Sequence, residues 1–380
     1  MTTLDLIQHL VRFNTVSRDT NLPLIEYVAT YLDGFGIESH QVTSDDGKKS
    51  NLYASIGPEE SGGVVLSGHT DVVPVDGQDW ESDPFNPQVK DRKLYGRGTC
   101  DMKGFIGTAL ALIPEMNSLS RPIHLALSYD EEVGCKGAPR MIRELSNNLP
   151  KPEAVIVGEP TRLSAITGHK GMVTLKTSIQ GFEAHSSQTH KGVSAVMIAA
   201  KLVDTLNTMA VQLADVTSKD TGFEPHHSTI HIGVIHGGTA INIISRHCEF
   251  QWDIRCIPSD DPQTIINEFE KFCQDEVLPN MKHISNDCYI TTETTASAPP
   301  FLMKESPASA LMHALAIPAG DRYAPYVAEA GQFQAAGFPT VVCGPGSIDQ
   351  AHKPNEFIDL EQIEQGELFL RKLIQRLSIC

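Results

Sequence analysis

The sequence predicts a two-domain α/β protein: a domain with a central mixed sheet flanked by helices, interrupted by an inserted ferredoxin-like βαββαβ domain. Three observations predict it. The chain has 380 residues, beyond the size at which a single core usually suffices. Near both ends, short apolar runs bounded by Gly, Pro or charge alternate with helical segments, the texture of buried strands in a helix-covered sheet. Between them the predicted elements follow another order, and no internal repeat is visible.

Residues from about Leu4 to Phe35 have helical spacing and stop at Gly34 and Gly36. Asn51–Ile56, Gly63–Ser67, Ile123–Tyr129 and Ala154–Gly158 read as buried strands, with helices at Gly104–Ile113 and Ala138–Leu145. From Met172 the pattern is strand (Met172–Gln180), helix (Gly192–Ala210) and two strands (Ser228–His236, Cys248–Ile257). A helix (Pro262–Val277) and a strand (Cys288–Thr294) complete the βαββαβ order. A strand at Val341–Gly344 and a helix from about Leu360 to Leu377 close the chain. The larger domain is therefore expected over 1–171 and 296–380, and the insertion over 172–295.

Composition narrows the function. Hydrophobic residues make up 41% and charged residues 20%, a balance that argues against long disorder. The net charge of −17 disfavours nucleic acid as a partner, because phosphates are repelled over most of such a surface. No apolar run approaches the roughly 20 residues that span a bilayer. MTTLDLIQHLVRF lacks the basic start and unbroken apolar stretch of a signal peptide, so a cytoplasmic protein is expected. The eight cysteines show no CxxC pair and read as buried thiols of a reducing compartment.

Chemistry concentrates where acids and histidines follow predicted strands. In Gly68-His69-Thr70-Asp71, residues two apart face the same side, so His69 suits a metal ligand and Asp71 the carboxylate that orients it. The segment Gly96-Arg97-Gly98-Thr99-Cys100-Asp101-Met102-Lys103-Gly104 opens like a dinucleotide fingerprint but lacks the third glycine. It reads better as a loop-to-helix junction where the Asp101 carboxylate can bridge two cations. Asp130-Glu131-Glu132 follows an apolar strand, and adjacent acids repel unless something positive sits among them. One can bind metal while another handles protons. Glu159 again follows an apolar strand, and a Gly/Pro loop projects His352. Each signal alone has an ordinary explanation as a solvated loop or surface contact.

Taken in order, GHTDVVP, GRGTCDMKG, DEEVG, GEP and AHKPNE resemble the M20 family of metallopeptidases and amidohydrolases, and the resemblance covers nearly the whole chain. It implies a zinc-peptidase-like catalytic domain holding two divalent metal ions, zinc or cobalt. His69 and Glu159 would bind one ion, Glu132 and His352 the other, and Asp101 would bridge them. Asp71 would support His69, and Glu131 would be the general base. A cis peptide after Asp101 is also implied.

In the insertion, Gly181-Phe182-Glu183-Ala184-His185-Ser186-Ser187 is similar to the family's GxxxHSS turn, which makes His185 the candidate oxyanion donor. Asn242 and Arg255 match substrate-grasping segments; Arg255 could hold an α-carboxylate through its two-pronged guanidinium, or form a structural salt bridge. Ser245 stands where the family usually has Pro. Val327-Ala328-Glu329-Ala330-Gly331 looks like the acetylornithine deacetylase branch, with Glu329 suited to a substrate ammonium. The resemblance implies a small acylated amino acid as substrate, no membrane or nucleic-acid partner, and a homodimer through the insertion. Acetylcitrulline deacetylases, desuccinylases, aminoacylases and dipeptidases are the neighbouring alternatives.

Overall fold

The computed structural model describes residues 1–216, 221–318 and 323–378. The chain forms two compact units. One comprises Met1–Gly168, Phe301–Arg322 and Ala328–Cys380; the other comprises His169–Pro300 and Tyr323–Val327. The five residues Tyr323–Val327 thus group with the second unit, although sequence alone assigns them to the returning segment.

In the first unit, α1 (Thr3–Val11) starts at a capping box between Thr2 and Asp5, and α2 (Leu22–Asp33) starts with Pro23 in its first turn. Both bury a leucine-rich stripe. The strands β1 (Ser39–Thr43), β2 (Ser50–Ile56) and β3 (Val64–His69) follow. A hairpin, β4 (Gln88–Lys90) and β5 (Lys93–Tyr95), precedes α3 (Lys103–Ala111). Then come β6 (Ile123–Ser128), α4 (Ala138–Asn148) and β7 (Ala154–Pro160).

The main sheet runs β1-β2-β6-β3-β7 and ends on the strand Thr340–Gly344. β1, β2 and β6 pair antiparallel; β6, β3, β7 and Thr340–Gly344 pair parallel. Every residue of β3, β6 and β7 is buried, which is why their sequences are nearly continuous apolar runs. This arrangement positions the site. Parallel neighbours end on the same edge of the sheet, so the segments after β3, β6, β7 and Thr340–Gly344 emerge together, where α/β proteins commonly bind ligands.

Sequence reading missed β1 because SHQVT lies at the sheet edge with no residue fully buried, and so carries no apolar signal. It also missed the small sheet in which β5 pairs with β4 and with Phe357–Asp359.

The second unit has the order βαββαβ, with strands Gly171–Gln180, Thr229–Gly237, His247–Cys256 and Tyr289–Ala298. The third of these lies beside both the first and the second, the fourth lies on the other side of the first, and all pairings are antiparallel. The helix expected as one piece over Pro262–Val277 is Pro262–Phe272, followed by a π-turn at Cys273–Val277 and then Leu278–Ile284. Pro279 has no N–H to continue the ladder, which accounts for the break.

The other helix, Ala195–Val216, is long and apolar enough over Ala195–Asp215 to cross a membrane by length and composition. It is not an unbroken apolar run. Lys201 and Asp204 interrupt the segment, and Ala199, Leu202 and Leu206 are buried in this unit's own core. The seven described cysteines are free and buried.

Candidate metal centre

His69 ends β3, and its ring reaches two acids from different parts of the chain. Nε2 lies 3.0 Å from Asp101 Oδ1 and 3.8 Å from Glu159 Oε1. His352 approaches the same aspartate from the other side, with Nε2 3.4 Å from Asp101 Oδ2 and 3.0 Å from Glu132 Oε2. All five side chains proposed as ligands therefore join through Asp101, one oxygen of which faces each histidine. Donor atoms of His69, Asp101 and Glu132 lie within 4.8 Å of one another. The peptide bond Asp101–Met102 is cis, as the resemblance implies.

The DEE run is sorted by its neighbours. Asp130 forms an ion pair with Lys49 and so is drawn away from the centre. The carboxylate of Asp71 accepts the backbone N–H of Glu131 at 3.1 Å and of Glu132 at 3.3 Å, and Ser17 donates to it at 2.7 Å. Asp71 orients His69 through its backbone: His69 Nδ1 is 2.9 Å from the Asp71 carbonyl oxygen but 3.7 Å from the carboxylate. Its side chain thus acts mainly on the turn that carries Glu131 and Glu132.

Glycine enforces part of this geometry. A Cβ on Gly158 would stand 2.2 Å from the Phe105 ring, so only glycine lets α3 pack against β7 just before Glu159.

The electrostatics of the cluster suit bound cations. Burial pushes the pKa of Glu131 and Glu159 well above the usual carboxylate range, and neighbouring carboxylates add to it. Burial, then the charge of Asp101, raise Glu132 to about 7. Hydrogen bonds to Asp101 and Glu132 raise His352 to about 10. For His69, burial opposes the charged form, but Asp101 and the surrounding acids overcome it and hold its pKa well above normal. Burial disfavours the Asp101 anion, and the two imidazoles more than compensate. Oxygen and imidazole donors gathered around excess negative charge fit a pair of divalent ions such as zinc or cobalt.

Residues 65–376 match the model of peptidase family M20/M25/M40. The chain belongs to that family. This M20 chain is a metal-binding hydrolase, and its relatives cover nearly its whole length. It is 32% identical over 379 residues to acetylornithine deacetylase of Myxococcus xanthus, covering 97% of this chain and 95% of that protein. It is 33% identical over 368 residues to acetylornithine deacetylase of Proteus mirabilis, covering 95% and 91%. Among solved structures, it resembles an M20 family metallo-carboxypeptidase of Sulfolobus solfataricus with a TM-score of 0.77 at 18% identity, covering 100% and 99% of the two chains. It also resembles the Bacillus subtilis YXEP protein, a dinuclear metal-binding peptidase of the family, with a TM-score of 0.67 at 14% identity, covering 98% and 96%.

Elsewhere in the M20 chain, Glu329 is only 1% exposed. Ser67 donates to its Oε2 at 3.3 Å, and burial raises its pKa, a rise that the Ser128 and Ser67 hydroxyls partly offset. In this conformation it presents no open face to solvent.

Within the second unit, the turn carrying His185 and the segment carrying Asn242 meet: the Ser186 N–H donates to the Asn242 carbonyl at 3.1 Å. His185 and Asn242 are both exposed. Arg255 is half-buried, and its Nε donates to Asp253 at 2.7 Å, the salt-bridge alternative named above. Ser245 Oγ accepts the Val196 N–H at 3.0 Å in the first turn of a helix, a bond that the family's usual Pro cannot supply.

Sequence reasoning overlooked Gln78, Arg97, Cys135 and Glu356. All but Gln78 lie in or directly beside the quoted motifs, yet nothing local marks them, because their partners are brought together only by the fold.

Proposed function

We propose that this chain hydrolyses the acetyl amide of N2-acetyl-L-ornithine to L-ornithine and acetate, a step of arginine biosynthesis in the cytoplasm. The observation that carries the reaction class is the meeting of two imidazoles and three carboxylates at 3.0–3.8 Å with Asp101 at their centre. Similarity to acetylornithine deacetylases over nearly the full length supports the substrate. Glu329 supports it too, since a buried carboxylate with no salt-bridge partner among the described residues suits the side-chain ammonium of ornithine.

In this reading His69 and Glu159 hold one divalent ion, Glu132 and His352 the other, and Asp101 both. Zinc is the ion favoured, and cobalt can replace it. Such ions supply a Lewis acid for the amide carbonyl and make water a better nucleophile near neutral pH. The Glu131 carboxylate takes the proton from the attacking water and returns it to the departing amine. His185 donates to the developing oxyanion. Arg255 holds the α-carboxylate, and Asn242 adds an amide contact. Two copies pair through the inserted unit, a reading supported by the exposed apolar side chains of Met197, Ile241 and Ile284.

The test is a panel of acylated amino acids assayed with and without added zinc or cobalt. Acetylornithine should be the best substrate, and strong chelation should remove the activity. Preference for an acetylated apolar amino acid, a dipeptide or a succinylated diamino acid would reassign the substrate. Full activity in rigorously metal-free protein would end the reaction assignment.

A further inference from the structure

Behind the ligands lies a second cluster that the reaction as described does not use. Glu356 is 1% exposed and sits four residues after His352. Each of its carboxylate oxygens accepts two donors. Oε1 takes the N–H of Cys100 at 2.8 Å and of Asp101 at 3.1 Å. Oε2 takes the N–H of Gly98 at 3.0 Å and Nη1 of Arg97 at 2.8 Å. The Glu356 carbonyl also accepts the Gly96 N–H at 2.9 Å. One side chain from the His352 loop therefore grips the segment that ends in Asp101.

Arg97 and Gln78 complete the clasp. Arg97, equally buried, donates from Nη1 to the Lys353 carbonyl at 3.2 Å and from Nη2 to Gln78 Oε1 at 2.6 Å. Gln78 Nε2 in turn donates to the carbonyl of His352 itself at 2.9 Å. The imidazole needs such a hold: His352 adopts a left-handed backbone at φ 64°, and its side chain is 55% exposed.

We infer that Glu356, Arg97 and Gln78 are positioning residues that keep His352 in register with Asp101 across the proposed two-ion site. The inference rests on the two-ion reading of that site. The clasp ties the two loops through their backbone groups, whereas His352 and Asp101 themselves meet through their side chains. Partners behind metal ligands typically change metal affinity or activity by about 10–100-fold when removed. Glu356→Gln loses acceptor capacity and turns an amide N–H toward backbone donors. Gln78→Glu is the sharper variant: it keeps an acceptor for Arg97 and for the Trp80 indole N–H, and it sets a carboxylate oxygen against the His352 carbonyl where the donor stood.

The test is titration of metal-free wild type, Glu356→Gln and Gln78→Glu with cobalt(II), read by calorimetry and by the visible absorption of the bound ion, alongside thermal melts. We expect wild type to take up two ions. Both variants should bind one of them roughly 10–100-fold more weakly, with an altered cobalt spectrum. Gln78→Glu should melt as wild type does, with kcat falling more than KM rises. Two ions bound by Gln78→Glu with wild-type affinity and spectrum would overturn the inference, whether or not Glu356→Gln folds. Wild type that takes up no cobalt would instead remove the two-ion reading, and this inference with it.

Discussion

Cys135 donates its thiol hydrogen to Oε1 of Glu131 at 3.3 Å, from a residue held at φ 53° by the turn after the DEE run. The contact ties the candidate base to the far side of its own turn. Gln332 Nε2 holds the Cys135 carbonyl at 2.9 Å, so the helix Ala330–Ala335 braces that turn in place. Glu131 is thus fixed by its backbone N–H on Asp71 and by its side chain on Cys135. A proton acceptor needs this kind of definition, since it must meet one particular water.

Glu131→Gln keeps the shape of the side chain and removes its basicity. Turnover should fall by about 10²–10⁴-fold, the usual range for a lost general base, while metal content stays at the wild-type level. Steady-state kinetics with metal analysis of the same sample checks both halves. A near-normal rate would remove Glu131 from the role.

Glu329→Ala separates recognition from chemistry. Charge-assisted contacts contribute about 1.5–3 kcal/mol, so kcat/KM for acetylornithine should drop on the order of 10–100-fold. The loss should be several-fold smaller for an acetylated amino acid with an uncharged side chain of similar length. Equal losses on both substrates would make Glu329 a structural acid of the buried cluster.

Metal-free protein should lose stability as pH rises, and the sign follows from the site. Glu132 titrates at about 7 when folded against an ordinary 4.5. The folded state therefore holds its proton more tightly, and the stabilisation present below pH 4.5 is lost on rising through 7. His352, raised from 6.5 to about 10, contributes stability below 6.5 that is lost towards pH 10. Asp101, shifted downward, acts only at acid pH outside this window. Melting curves of chelated and metal-loaded protein at pH 5, 7 and 9 should diverge progressively, because bound ions replace the protons. A constant gap across that range would contradict the account.

Gly158→Ala should destabilise the first unit by about 1–3 kcal/mol through overpacking, since the new methyl meets the Phe105 ring. Metal affinity should fall as well, because the strain sits next to Glu159. Denaturant unfolding of metal-free protein checks the first effect and cobalt titration the second. An unchanged midpoint would mean that α3 can shift without cost.

Much of the candidate site was legible in the sequence because most of the proposed ligands follow strands whose apolar runs identify themselves. His69, Glu159 and the DEE turn all stand where a buried parallel strand ends, and such runs carry a strong local signal. The inserted unit was legible through alternation, since from Val173 onward in Gly171–Gln180, and along His247–Cys256, buried positions alternate with more open ones. β1 was not, because an exposed edge strand is not marked by hydrophobicity.

The sequence by itself determined the fold class and the family, and it named the candidate ligands, because each depends on local pattern or motif order. Only the tertiary structure decided which acid of Asp130-Glu131-Glu132 turns to Lys49, to Cys135 and to His352. It alone showed that Asp71 holds His69 by a carbonyl oxygen, and that Glu356 reaches back across 255 positions to the Asp101 N–H. The reason is physical: strand and helix signals repeat every two to four residues, whereas a buried carboxylate takes whichever donors the completed fold brings within about 3 Å.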